Sequence, residues 1–183
     1  MKLNVFDTFS GCGGLSIGLE QAGFEILWAN ENWCPAAETY RKNHNSTQVF
    51  EDDAKELVKS LLTNDNQLPQ PGDVDLLVGG PPCQGFSGYN IYSKPDDPRN
   101  SLVETFFDFA NYLKPRYVLM ENVTGMLSMD DGKVVDKIIK TFTEIGYDVR
   151  LNILQAGYYG LPQNRWRVFI FCAKEGLTVP SFP

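Results

Sequence analysis

The chain of 183 residues has a single histidine, His44. Its four cysteines, Cys12, Cys34, Cys83 and Cys172, are scattered, with no CxxC or Cys/His spacing. One histidine argues against Ser-His-Asp and Cys-His hydrolase sites, so any nucleophile must be activated without an imidazole base. The spacing indicates neither a metal site nor a disulfide scaffold, and a reducing compartment is expected. No apolar run is long enough to cross a bilayer, and the first residues, Met1-Lys2-Leu3-Asn4-Val5-Phe6-Asp7, lack the apolar stretch of a signal peptide. Secretion and membrane insertion are therefore not expected. A basic excess is missing too. Lys plus Arg is 16 and Asp plus Glu is 23, a net charge of −7. That balance speaks against autonomous DNA binding, though not against a catalytic module whose DNA-gripping part lies elsewhere.

What is present is enough apolar sequence, 43% of residues, to bury one core. Strand-like and helix-like segments alternate, which predicts an α/β protein with a mostly parallel sheet. Strands are expected at Leu3 to Phe6, Glu25 to Asn30, Gln48 to Phe50, Val74 to Val78, Tyr117 to Met120, Val149 to Leu154 and Val168 to Cys172. Helices are expected after the glycine run at 11–14, from Pro35, over Ala54 to Leu62, over Ser101 to Leu113, and after Asp130-Asp131-Gly132. The first helix should bury Leu15, Leu19 and Ala22, and the last Val135, Ile138, Ile139 and Phe142. Between them, Gln84 to Asn100 has no periodicity, as functional loops often do not.

Ligands gather outside the carboxyl ends of the strands of an open α/β sheet. Here those ends carry Gly11, Gly13 and Gly14, then Glu31, Asp53, Pro82-Cys83 and Glu121. The glycines on their own could be no more than a tight turn. With an acid after each of the next two strands they suit a ribose-and-adenine pocket. The run is not a spaced GxGxxG and no lysine follows for phosphates, so S-adenosylmethionine fits better than NAD. Cys12, Cys34 and Cys172 read as buried structural cysteines. Cys83 differs, because two prolines fix the backbone just before it and so present its thiol at a defined place. Glu121 follows an apolar run that suggests partial burial, and Arg165 and Arg167 alternate with Trp166 onto one face.

Four segments together carry a resemblance. Phe6-Asp7-Thr8-Phe9-Ser10-Gly11-Cys12-Gly13-Gly14-Leu15-Ser16, Gly79-Gly80-Pro81-Pro82-Cys83-Gln84-Gly85-Phe86-Ser87, Glu121-Asn122-Val123 and Gln163-Asn164-Arg165-Trp166-Arg167 resemble, in order, the motifs of the DNA cytosine-5 methyltransferases. Trp33-Cys34-Pro35-Ala36-Ala37 and Leu154-Gln155-Ala156-Gly157 look most like the eukaryotic maintenance-type enzymes.

The resemblance implies a Rossmann-like S-adenosylmethionine-dependent methyltransferase fold whose final strand is antiparallel. It implies Cys83 as the nucleophile at cytosine C6, Glu121 as the group holding the ring at N3 and the exocyclic amine, and Arg165 and Arg167 as supports of the catalytic pocket. The target cytosine would be flipped out of duplex DNA, with Tyr89 a candidate for filling the gap. On the cofactor side it implies Phe9 against the adenine, Ser10, Gly11, Gly13, Gly14 and Leu15 beside the methionine part, and Glu31 on the ribose. Asn32, Asp53, Ala54, Pro82 and Leu102 would complete that pocket. Residues 1–175 would form the catalytic cofactor-binding domain and 176–183 the start of a linker to a target-recognition domain, supplied in cis or as a separate subunit. On that reading the 183 residues alone fold but barely turn over. The location would be the nucleus in a eukaryote or the cytoplasm in a bacterium. A tRNA cytosine-5 methyltransferase and a non-catalytic regulatory or scaffold fragment are the alternatives.

Overall fold

The computed structural model describes residues 2–63, 68–82 and 101–183. Cys83, Tyr89 and the rest of 83–100 lie outside the described residues.

Seven strands form one sheet: β1 (Asn4–Thr8), β2 (Glu25–Asn30), β3 (Gln48–Phe50), β4 (Leu76–Gly79), β5 (Tyr117–Val123), β6 (Tyr147–Gln155) and β7 (Trp166–Lys174). Their spatial order is β3-β2-β1-β4-β5-β7-β6. The first five run parallel, while β7 is antiparallel to both β5 and β6, as the resemblance implies. Helices α1 (Gly14–Gln21), α2 (Cys34–Asn43), α3 (Ala54–Leu62), α4 (Ser101–Leu113) and α5 (Lys133–Glu144) make the connections. The order of connection reverses between β1 and β4, which sets the topological switch point at their carboxyl ends.

Alternation along the central strands feeds two cores. Val5, Ile26, Leu76 and Val78 turn to one face and pack with Leu15 and Leu19 of α1. Phe6, Leu77, Val118 and Met120 turn to the other, where Leu57 and Leu61 of α3, Phe106, Phe109 and Leu113 of α4, and Ile138 and Phe142 of α5 cover them.

Several boundaries and faces differ from the sequence expectation. The first strand runs on to Thr8, whose hydroxyl donates to the Val78 carbonyl and ties β1 to β4. It stops at Phe9, whose backbone lies in the left-handed region at φ 55°. β4 begins at Leu76, because 70–73 form a turn in which the Asp73 carboxylate accepts the Gln70 N–H. β5 continues through Glu121 and Asn122, which pair with Phe169 and Val168 of β7. Helix α5 buries Val134 with Ile138 and Phe142, and leaves Val135 and Ile139 half-buried. In α1 the buried residue is Ser16, while Ala22 is exposed. Cys12 and Cys34 are exposed, which corrects the expectation that they are buried; Cys172 is buried.

Candidate active site

Two adjoining clefts open at the switch point. The first, about 230 Å³, is lined by Phe9, Asn30, Glu31, Asn32, Asp53, Ala54, Gly80, Pro82 and Leu102. The fold therefore brings together seven residues expected to hold a cofactor from four separate strand ends and the start of α4. Its polar lining is two carboxylates and two amides, and none of the lining residues is cationic. Such a wall suits hydroxyl and amine donors and repels phosphate, which fits a nucleoside without phosphates.

Local bonds explain why these residues face the cleft. The Glu31 carboxylate accepts the Gly11 N–H at 2.9 Å through one oxygen and the Trp33 N–H at 2.8 Å through the other. It thus ties the glycine turn to the start of α2. Asn30 donates its amide to the carbonyls of Phe50 and Asp52, which sets the end of β3 against β2. Asp53 is the N-cap of α3 and accepts the Lys55 N–H at 2.9 Å.

The second cleft, about 520 Å³, shares Phe9 and Gly80 with the first and adds Ser10, Gly14, Leu15, Glu121 and Arg165. Glu121, its side chain 23% exposed, takes both arginines on one oxygen: Arg165 at 3.2 Å and Arg167 at 3.0 Å, each to Oε1. Its Oε2 turns toward Gly80, where a Cβ would come within 3.3 Å of it. The two guanidiniums therefore fix the carboxyl group and leave its second oxygen facing the junction of the clefts. Asn122, buried next to it, donates its amide to the Pro81 carbonyl at 2.8 Å. That bond anchors the diproline that leads into Cys83.

Beneath the glycine turn lies a buried polar column that the sequence reading did not find. Asp7 is 1% exposed and accepts the Ser16 hydroxyl at 2.6 Å; Ser16 in turn lies 2.7 Å from the Tyr40 hydroxyl. Burial pushes the Asp7 carboxyl up to about 7, against the lowering effect of the Ser16 bond. His44, wholly buried, contacts the Gly13 carbonyl and the Glu20 carboxylate. Of the exposed thiols, Cys34 is pushed up by hydrogen bonding to Glu51, which disfavours a reactive thiolate there. Among the described residues no group of three or more His, Cys, Asp or Glu side chains could hold a metal ion.

The profile of one protein family, C-5 cytosine-specific DNA methylase, matches residues 3–183. The chain belongs to this family. It is 42% identical over 191 residues to DNA (cytosine-5)-methyltransferase 1 of Gallus gallus, covering all of this chain and 12% of that protein. To the type II methyltransferase M.AgeI of Thalassovita gelatinovora it is 41% identical over 174 residues, covering 95% of this chain and 40% of that protein. A solved structure described as a prophage-encoded DNA modification methyltransferase of E. coli superposes with a TM-score of 0.76 at 34% identity. That match covers 94% of this chain and 47% of the other. The methylase chain therefore spans less than half the length of each of these relatives.

Proposed function

We propose that the chain is the catalytic core of a DNA cytosine-5 methyltransferase that uses S-adenosylmethionine. The observation that carries the proposal is the fixed Glu121 carboxyl, one oxygen held by Arg165 and Arg167 and the other facing Gly80, beside a cleft lined for a nucleoside. Bound in that cleft, the cofactor supplies an electrophilic methyl group. Glu31 accepts from the ribose hydroxyls, Asp53 and Asn32 meet the adenine edge, and Phe9, Pro82 and Leu102 pack on its faces. Ser10, Gly14 and Leu15 lie along the second cleft with Glu121, so the methionine part runs that way.

Cytosine C6 is a poor electrophile until the ring nitrogen is neutralised. Glu121 at N3 and the exocyclic amine meets that need, and the arginines keep it oriented. The Cys83 thiolate then forms a bond to C6 and the electron pair arrives at C5. The cofactor would supply the methyl group to C5; loss of the C5 proton to solvent and expulsion of the Cys83 sulfur would then restore the ring. The base must be flipped out to reach these groups. With a net charge of −7, we assign the grip on duplex DNA to a target-recognition part supplied in cis or by a separate polypeptide.

The test uses the full-length protein with duplex DNA and cofactor labelled in the methyl group. Label should enter cytosine C5, and Cys83→Ser should abolish transfer while cofactor affinity stays within a few-fold. DNA carrying 5-fluorocytosine should trap a covalent adduct with the parent alone. Methylation by Cys83→Ser near the parent rate removes that residue from the mechanism, and label entering tRNA but not DNA overturns the substrate.

A further inference from the structure

The end of α2 reaches under the glycine turn through one side chain. His44 is completely buried; its Nε2 lies 3.2 Å from the Gly13 carbonyl and its Nδ1 3.0 Å from Glu20 Oε1. The Gly13 carbonyl can only accept, so Nε2 carries the hydrogen that faces it. Tyr40, one helical turn earlier, lies against the ring with centroids 4.4 Å apart. The packing leaves no slack. Gly13 has φ 89°, and a Cβ there would stand 2.3 Å from His44 Nε2. Gly13 is also the residue from which α1 starts, so its peptide orients both the turn and the first N–H groups of the helix.

We propose that His44 is a positioning residue for the cofactor turn. Gripped by Glu20, it fixes the Gly13 peptide, so that the backbone of Gly11 to Leu15 faces the cleft in a binding geometry before ligand arrives. This rests on the reading of that cleft as an S-adenosylmethionine site. The turn is then held at both ends: Glu31 takes the Gly11 N–H from above and His44 takes the Gly13 carbonyl from below. Left-handed glycine backbone is costly to order, so a turn fixed in advance saves that cost on binding. His44 touches no ligand and acts only through Gly13.

Two substitutions separate positioning from space-filling. The amide nitrogen of Gln reaches about as far as Nε2 and can keep the Gly13 bond. The shorter Asn reaches about as far as Nδ1, so it can keep Glu20 but not Gly13. The measurement is the affinity of the full-length protein for S-adenosylhomocysteine by titration calorimetry, with the melting temperature of each variant alongside. The loss of one well-placed backbone bond is expected to weaken binding about tenfold in His44→Asn. His44→Gln should stay within about threefold of the parent at a similar melting temperature. Should His44→Asn fail to fold, Glu20→Ala, at a partly exposed position, frees the ring and should weaken binding by about threefold. Variants that bind as the parent does, or that lose affinity equally and in step with melting temperature, overturn the inference. A parent that binds no S-adenosylhomocysteine overturns the cofactor reading itself.

Discussion

Replacing Glu31 tests the cofactor cleft most directly, because both its oxygens are already committed. One accepts from Gly11 and the other from Trp33, so each has one lone pair left for a ribose hydroxyl. Ala removes all of these bonds. Gln is no gentler, since its amide nitrogen would place a donor against one of the two backbone donors. Hydrogen bonds to a charged group contribute about 1.5–3 kcal/mol in a shielded site, which is about a 10- to 150-fold loss of affinity. The two backbone bonds are partly solvated, so their loss should cost the fold only about 1 kcal/mol, or about 2–4 °C in melting temperature for a protein of this size. Calorimetry with S-adenosylhomocysteine on Glu31→Ala and Glu31→Gln, paired with thermal melts, decides the matter. Unchanged dissociation constants would refute the assignment, as would a loss explained wholly by unfolding.

Two further outcomes are expected from the same geometry. Asn122→Ala removes the amide that holds the Pro81 carbonyl at 2.8 Å and should lower turnover at least tenfold while cofactor affinity stays within about twofold; equal losses in both would contradict a role confined to the diproline. Asp7 is raised from 3.8 to about 7 by burial, so the fold binds its proton more tightly than the unfolded chain does. Its contribution is full below about pH 4 and lost as pH rises through about 7, a change on the order of 4 kcal/mol. Urea titrations at pH 5 and pH 8 should show Asp7→Asn gaining on the parent at the higher pH, and a constant difference would argue against the raised carboxyl.

Much of the frame was legible because its signals are local. β2, β3, α3 and α4 begin and end at their expected residues, since each is bounded by proline, by an acidic cap, or by the polar residue that ends a strand. Strands β5 to β7 run longer than expected because their ends are fixed by pairing with one another. Glu121 joins β5 through Phe169, a partner 48 positions away. The cleft residues were legible for a related reason. Parallel strands bring their carboxyl ends to one edge, so the residues just past those ends, Glu31, Asp53 and Pro82, gather into one site without any knowledge of the packing, whereas Phe9 and Leu102 came from the family resemblance.

The polar column under the turn had no such signal. Tyr40 and His44 are one helical turn apart, but Asp7 and Ser16 share no spacing with them, and hydropathy alone would place Asp7, Ser16 and His44 in solvent. They meet because β1, α1 and α2 converge behind the glycine turn, where burial leaves each polar group needing the others. The bonds of Asn30 and Asn122 had no local signal either, as amides whose partners are carbonyls on β3 and just past β4. Gly13 joins the legible and the illegible parts. A glycine in that turn is expected wherever a ligand must approach backbone closely. In this protein a side chain at 13 would collide with His44 before it met any ligand. The residue is therefore constrained from inside the fold, and the imidazole that constrains it also holds the peptide from which α1 starts.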